Sequence, residues 1–142
     1  MKTDERVDAF ARHLGVVVEN FGNGEATASL TVRAEHLNPH GTAHGALLYS
    51  VVGTALAAAA NNATHSGVVS AVHIDYLSPA REGDHLVASA SVAERLARED
   101  VFTIRLTKGD STVVARASGR ANRRNRTVGP DSSSPTSKVG DA

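Results

Sequence analysis

The sequence predicts an α+β domain in which a curved antiparallel sheet wraps around one long helix. One stretch, about residues 45–62, is alanine, leucine or valine on nearly every side, as expected of a helix that is buried all round. The other apolar stretches alternate with polar residues like strands. Because all the connections between these strands can be short, the sheet is expected to be antiparallel.

A short helix and a hairpin precede the long helix. Apolar residues recur at helical spacing in residues 4–14, and Gly15 follows as a helix stop signal. The hairpin turns at residues 22–24, and its second strand alternates small apolar residues with threonine and serine. One face of this hairpin is therefore expected to be dry.

About four strands are predicted after the long helix. They comprise residues 68–77, residues 85–97, and a hairpin within residues 100–121 that turns at residues 108–110. We assign residues 1–122 to one domain and predict a disordered tail in residues 123–142, which are rich in serine, proline and glycine. One helix cannot cover such a sheet and its edges, so a homodimer or a dimer of dimers is expected.

Composition excludes several classes of protein. The chain of 142 residues carries 15 Lys+Arg and 15 Asp+Glu, and this balance argues against binding to nucleic acid. It has no cysteine, which excludes disulfides, thiolate metal sites and cysteine nucleophiles. The N-terminus lacks the apolar core of a signal peptide, and the longest apolar run is too short to span a membrane. We therefore expect a cytoplasmic protein with no membrane partner.

The stretch "HLNPHGTAHGALLYSVVGTALAAAANN", together with the element order, resembles the hotdog fold. More narrowly, it is similar to the PaaI-like acyl-CoA thioesterases of phenylacetate pathways, and the similarity covers roughly residues 14–121. Their helix opens with the signature Asn-x-x-Gly-x-x-His-Gly-Gly. In this chain the signature is matched by Asn38, Gly41, His44 and Gly45, with Ala46 in place of the last glycine. The resemblance implies an acyl-CoA substrate and a pocket at the subunit interface.

The signature residues suit the activation of a thioester. Gly45 stands at the helix start, where backbone N–H groups lack intrahelical partners and can stabilise a developing oxyanion. His44 is expected to orient the carbonyl or donate a hydrogen bond to it, the alternative being a loop cap. Asn38 is expected to hold a water molecule or the thioester, the alternative being an Asx turn before Pro39.

The carboxylate that the resemblance implies is missing. In the family an Asp or Glu eight residues after the first glycine of the pair serves as nucleophile or general base, and that position here is Gly53. Eight helical residues rise ~12 Å, so both positions reach one carbonyl only if they come from different subunits. Three explanations for Gly53 stay open: close packing, room for a bulky acyl group, or a replacement that disables hydrolysis.

Other residues are weaker candidates. His73 shares a strand face with Asp75 and is a possible substitute base, the alternative being a polar residue at a dimer seam. The candidate contacts to the acyl chain, each also compatible with core packing, are Leu47, Leu48, Val51 and Thr54. The candidate contacts to the CoA phosphates are Arg81 and Arg120. No metal site and no cofactor are implied.

Two functions are compatible with these features. The first is hydrolysis of an acyl-CoA thioester to free acid and CoA by a site whose usual carboxylate is replaced by Gly53. The second is a protein that binds acyl-CoA without hydrolysing it. Neither the acyl group nor the choice between CoA and an acyl carrier protein follows from the sequence.

Overall fold

The computed structural model describes residues 7–61 and 65–125. It contains one six-stranded antiparallel sheet in the order β1-β2-β4-β5-β6-β3, with a long helix against it. The elements, apart from a 3₁₀ turn at Ala34–His36, are α1 (Ala9–Leu14), β1 (Val17–Gly22), β2 (Glu25–Thr31), α2 (Gly45–Ala60), β3 (His65–Tyr76), β4 (His85–Arg95), β5 (Glu99–Lys108) and β6 (Thr112–Asn125). The predicted α+β arrangement is confirmed.

The core lies between the sheet and α2, which packs against all six strands. The predicted dry face of β2 is confirmed, because alternate residues of this strand are buried. Phe102, Leu56, Leu86 and Leu106 have no measurable exposure and fill the space between the two layers. The helix is therefore held by apolar burial rather than by polar contacts.

One face of α2 departs from the prediction that this helix is buried all round. Ala46 and Tyr49 are exposed, and Ser50, Gly53 and Ala57 are half-buried. The sheet covers the opposite side of the helix, and no other described element covers this face. These five residues form the open face of α2.

The short N-terminal helix begins later than predicted. Residues 7 and 8 are not helical, and α1 begins at Ala9 because Asp8 caps it, its side chain accepting a hydrogen bond of 2.9 Å from the Ala11 N–H. The predicted residues 4–6 lie outside the described part. The end is as predicted, since Gly15 adopts the left-handed conformation, with φ 95°, that helix C-caps favour.

The long helix ends at Ala60, two residues before the predicted end. Asn61 leaves the helical conformation, and its side chain bonds to the carbonyl of Ala57 and to both backbone polar groups of Gly67. A Cβ atom on Gly67 would lie 2.6 Å from the Ala60 carbonyl oxygen, so only glycine fits there. This contact joins the end of α2 to the start of β3.

The last strand extends beyond the predicted domain boundary at residue 122. β6 continues to Asn125, because Arg123 bonds to the Asp100 carboxylate and to the carbonyls of Leu96 and Ala97. Asp100 is 1% exposed, and its carboxylate also accepts a hydrogen bond of 3.0 Å from the Arg95 guanidinium. Residues 126–142, which belong to the predicted tail, lie outside the described part.

We predict that Asp100→Asn destabilises the domain. The change leaves two guanidinium groups without their buried counter-charge, and the expected loss is about 2–4 kcal/mol of unfolding free energy. Chemical denaturation measures it, with exposed Glu94→Gln at the end of β4 as the control. A loss as small as that of the control, within about 0.5 kcal/mol, would contradict a structural role for the Asp100 cluster.

Candidate active site

Backbone hydrogen bonds fix the loop that leads into α2. The His44 N–H donates to the His36 carbonyl oxygen at 2.9 Å, and the Ala43 N–H donates to the Ala80 carbonyl oxygen at 2.8 Å. His36 itself is buried, and its Nδ1 accepts from the Arg33 N–H while its Nε2 lies 3.0 Å from the Leu14 carbonyl oxygen. This structural histidine was not predicted from the sequence, because its partners come from separate elements.

His44 caps the N-terminus of α2. Its Nδ1 accepts a hydrogen bond of 2.9 Å from the Ala46 N–H, so the neutral ring carries its proton on Nε2. The N–H of Gly45 has no hydrogen-bond partner within residues 7–61 and 65–125. The positive end of the helix dipole lies at the same place. The helix start therefore offers a backbone donor and, from the exposed His44 ring, a side-chain donor.

Tyr76, at the end of β3, also contacts this helix start. Its hydroxyl donates to the Gly45 carbonyl oxygen at 3.1 Å, and its ring lies 3.6–3.8 Å from the position of a Cβ atom on Gly45. The Gly45–Ala46 peptide unit thus accepts from Tyr76 and donates to His44. Sequence reasoning missed Tyr76, because only the folded sheet brings it to the helix.

Asn38 organises the loop before the helix. Its side-chain oxygen accepts from the N–H groups of His40 and Thr42, at 2.9 and 3.1 Å, and its amide donates to the Thr42 hydroxyl at 3.0 Å. This geometry is the Asx turn that was the alternative for this residue. Asn38 therefore positions the loop that carries His44.

Gly53 lies on the open face of α2, and a Cβ atom added to it would meet nothing within 4 Å. Close packing against residues 7–61 and 65–125 therefore does not explain this glycine. The neighbouring hydroxyls are occupied, since Ser50 donates to the Ala46 carbonyl and Thr54 to the Ser50 carbonyl. The space above Gly53 is open to a side chain or a ligand.

The structure does not bring His73 towards the start of α2. In the strand register, His73 pairs with Ser118 and Asp75 pairs with Arg116, and these two residues of β6 are exposed. The neighbouring Val72 pairs with Gly119, which is buried. His73 therefore lies on the face of the sheet opposite the helix, 3.1 Å from the Asp75 carboxylate. The prediction that His73 and Asp75 share a face is confirmed. Because this face is turned away from α2, the position of His73 does not support its proposed role as a substitute base.

Two grooves run along α2, one on each side of α1. The smaller, of about 180 Å³, adjoins the helix start and is lined by Phe10, Leu14, Glu35, His36, Leu37, His44, Ala46, Leu47 and Ser50. The larger, of about 870 Å³, lies between α1, β1 and the second half of α2 and includes Thr54. Of the predicted acyl contacts, Leu47 and Thr54 thus line grooves, while Leu48 and Val51 are buried in the core.

The two arginines proposed for CoA phosphates lie in different places. Arg81 follows Ala80, whose carbonyl binds the residue before His44, so Arg81 is close to the site in the exposed β3–β4 loop. Arg120 projects from the outer face of β6 and pairs with Glu99 at 3.5 Å. Of the two arginines, only Arg81 lies in a loop that is hydrogen-bonded to the segment before α2.

The described residues contain no group of three or more His, Asp or Glu side chains that could hold a metal ion. Within the same residues, no helix has the length and apolar character needed to cross a membrane.

Fold and site together define a hotdog domain whose central helix begins with an N–H that has no partner in the described part of the chain. Residues 40–115 match the family model of the thioesterase superfamily. Acyl-coenzyme A thioesterase PaaI of Escherichia coli strain K12 is 35% identical over 121 residues, which are 85% of this chain and 86% of that protein. The chain therefore belongs to the thioesterase superfamily.

Solved structures agree with this assignment. The structure of the E. coli PaaI protein from the phenylacetic acid degradation operon has a TM-score of 0.80 and 34% identity, covering 86% of this chain and 88% of that one. A mutant of the phenylacetic acid degradation protein PaaI from Thermus thermophilus has a TM-score of 0.78 and 32% identity, covering 82% and 100%. The predicted resemblance to PaaI-like proteins is confirmed.

We predict that Gly45→Pro lowers turnover of an acyl-CoA by about 10²–10³-fold, because it deletes the backbone donor. Proline suits the first helical position, and the extended conformation of His44 suits a residue before proline. Gly45→Ala is the matched control, since it keeps the N–H and its Cβ makes only ordinary contact with Tyr76. Equal losses in thiol release by the two variants would exclude the Gly45 N–H as the oxyanion donor.

Proposed function

We propose that the chain hydrolyses an acyl-CoA thioester to a free acid and CoA. The observation that carries this proposal is the unpartnered N–H of Gly45 at the start of α2, beside a groove. Such a donor stabilises a carbonyl oxygen as negative charge develops on it. The relative from E. coli is named an acyl-coenzyme A thioesterase, which supports CoA as the leaving group.

In this reaction the thioester oxygen accepts hydrogen bonds from the Gly45 N–H and from Nε2–H of His44. Water attacks the polarised carbonyl carbon, the C–S bond breaks, and the CoA thiolate leaves and takes up a proton. Tyr76 and Asn38 act indirectly, Tyr76 through the peptide unit that bonds to His44 and Asn38 through the loop. The protein thus supplies fixed donors to the reacting oxygen.

The grooves suggest where the substrate lies. The smaller groove adjoins His44 and has apolar walls that include Leu47 and Phe10, so it suits the acyl group. Arg81, in the adjacent loop, is the arginine best placed for a CoA phosphate. The first assignment rests on the lining of the groove, and the second on the hydrogen bond between Ala43 and Ala80.

A second candidate function is binding of acyl-CoA without hydrolysis. One observation favours it: Gly53 lies on the open face of α2, and no carboxylate occurs on this helix. Binding and polarising a thioester need no base, whereas rapid attack by water does.

We further propose a homodimer formed along β3. This strand of 12 residues lies at the edge of the sheet, and Val68 and Val69 on it are 46% and 36% exposed. Such an edge is a template for pairing with a second chain. Tyr76 at the end of β3 lies by the start of α2, and Gly67 near the start of β3 lies by the end of α2, so the strand and the helix run in opposite directions. Pairing of two β3 strands about a twofold axis therefore places the two α2 helices antiparallel to each other. The pocket is then shared between subunits.

We predict that Gly53→Asp raises kcat for acyl-CoA hydrolysis at least about tenfold, because a carboxylate in this open space adds a general base. Gly53→Asn is the matched control, similar in shape and without a basic oxygen. A panel of acyl-CoAs with spectrophotometric detection of free thiol measures the effect. Equal rates for the two variants would contradict it. A wild type that binds acyl-CoA without releasing thiol would instead support the binding function.

We predict that Val68→Lys weakens dimerisation at least about tenfold, because it places a charge on the pairing edge of each subunit. Analytical ultracentrifugation measures the dissociation constant. Leu96→Lys, at a residue 40% exposed beyond the end of β4, is the control for a charge placed on an apolar surface position. A variant as dimeric as wild type would show that the subunits do not associate along β3.

A further inference from the structure

Two carboxylates line the grooves beside α2 among the residues that the structure describes, Asp8 in the larger and Glu35 in the smaller. Asp8 is engaged as the N-cap of α1, since it accepts the Ala11 N–H at 2.9 Å. Glu35 has no such role in a helix cap. It is therefore the carboxylate to consider as a replacement for the one that α2 lacks.

The backbone holds the turn that carries Glu35 against the residue before Gly45. It lies in the 3₁₀ turn Ala34–His36, and the carbonyl of His36, the next residue, accepts the His44 N–H at 2.9 Å. Glu35 and His44 line the same groove of about 180 Å³, together with the Ser50 hydroxyl and apolar side chains. One groove is thus lined by a candidate donor to the thioester, His44, and by a carboxylate.

The surroundings of Glu35 keep its carboxylate ionised. Its own backbone N–H, more than any other group, lowers the pKa of this carboxyl. Desolvation opposes this effect, and the positive charge of Arg33 adds to the lowering of the pKa. The Arg33 guanidinium also pairs with Glu35 Oε2 at 3.0 Å. The side chain is 66% exposed, so water reaches it. At neutral pH it is therefore an ionised carboxylate in contact with solvent.

We propose that Glu35 is the general base that activates water for thioester hydrolysis, in place of the carboxylate missing at Gly53. The proposal rests on the hydrolytic function proposed above. Glu35 takes one proton from water as the water oxygen bonds to the carbonyl carbon. The C–S bond then breaks, the thiolate of CoA takes up the proton from Glu35, and the acid is released. The Gly45 N–H holds the oxyanion during these steps.

The test compares Glu35→Gln with wild type in steady-state thiol release and in binding of acyl-CoA. We expect kcat to fall by about 10²-fold or more with little change in KM, because a general base acts in the transition state. Arg33→Gln is the matched control, since it removes the same ion pair and keeps the carboxylate. Exposed Glu82→Gln controls for the loss of a surface charge.

A second variant separates chemistry from structure. Glu35→Ala is expected to regain part of its activity when formate is added, because a small carboxylate can occupy the space of the deleted group and accept the proton. Circular dichroism and thermal unfolding show whether each variant remains folded.

The outcomes distinguish this proposal from the one on which it rests. An active wild type whose kcat is unchanged by Glu35→Gln, or reduced equally by Arg33→Gln, would overturn the role of Glu35 and leave the thioesterase function in place. A wild type that binds acyl-CoA and releases no thiol would overturn both. A selective loss with formate rescue would establish Glu35 as the base.

Discussion

The site depends on the first turn of α2. A helix begins with N–H groups that have no partner within the helix, and each must find another acceptor or remain free. Here the Ala46 N–H is capped by His44, whereas that of Gly45 has no acceptor among the residues that the structure describes. The bonds from His44 and Ala43 to neighbouring segments hold this turn in place, so its free donor is preorganised. Loop, sheet and helix all contribute to one reactive position.

Gly53 stands at the helix position where the family resemblance implies a carboxylate. Gly53 leaves the open face of α2 without a side chain, although glycine costs about 1 kcal/mol relative to alanine inside a helix. Nothing in the described part of the chain packs into the space, so the cost has no compensation there. A substrate or a second subunit over this face would supply it. Glu35, from the turn before α2, provides a carboxylate in the groove beside the helix start, which Gly53 does not line.

Sequence periodicity predicted the elements well, because each depends on its own residues. The all-apolar stretch predicted a helix within two residues of its observed end, and alternation predicted the strands. The asymmetric burial of α2 was not predicted, because the face left open depends on how the sheet closes around the helix. The extension of β6 depends on Arg123 reaching Asp100, a contact between distant residues.

The candidate site was predicted only in part, and for a similar reason. His44 and Gly45 act through the helix start, which local sequence reveals. Alternation places His73 and Asp75 on one face but does not say which face. In addition, the register between β3 and β6 shifts between Val69 and Ala71, so the alternation of residues along β3 does not by itself give their partners on β6. Tyr76 and Glu35 reach the site through tertiary contacts that no short motif encodes.

The most direct measurement is a crystal structure with a ketone analogue of an acyl-CoA, in which a methylene replaces the thioester sulfur. The account predicts the ketone oxygen about 2.7–3.1 Å from the Gly45 nitrogen, the distance expected of an oxyanion donor. It also predicts the acyl group in the groove beside His44. An analogue bound with its ketone oxygen away from the start of α2 would contradict the central claim that this helix start activates the thioester.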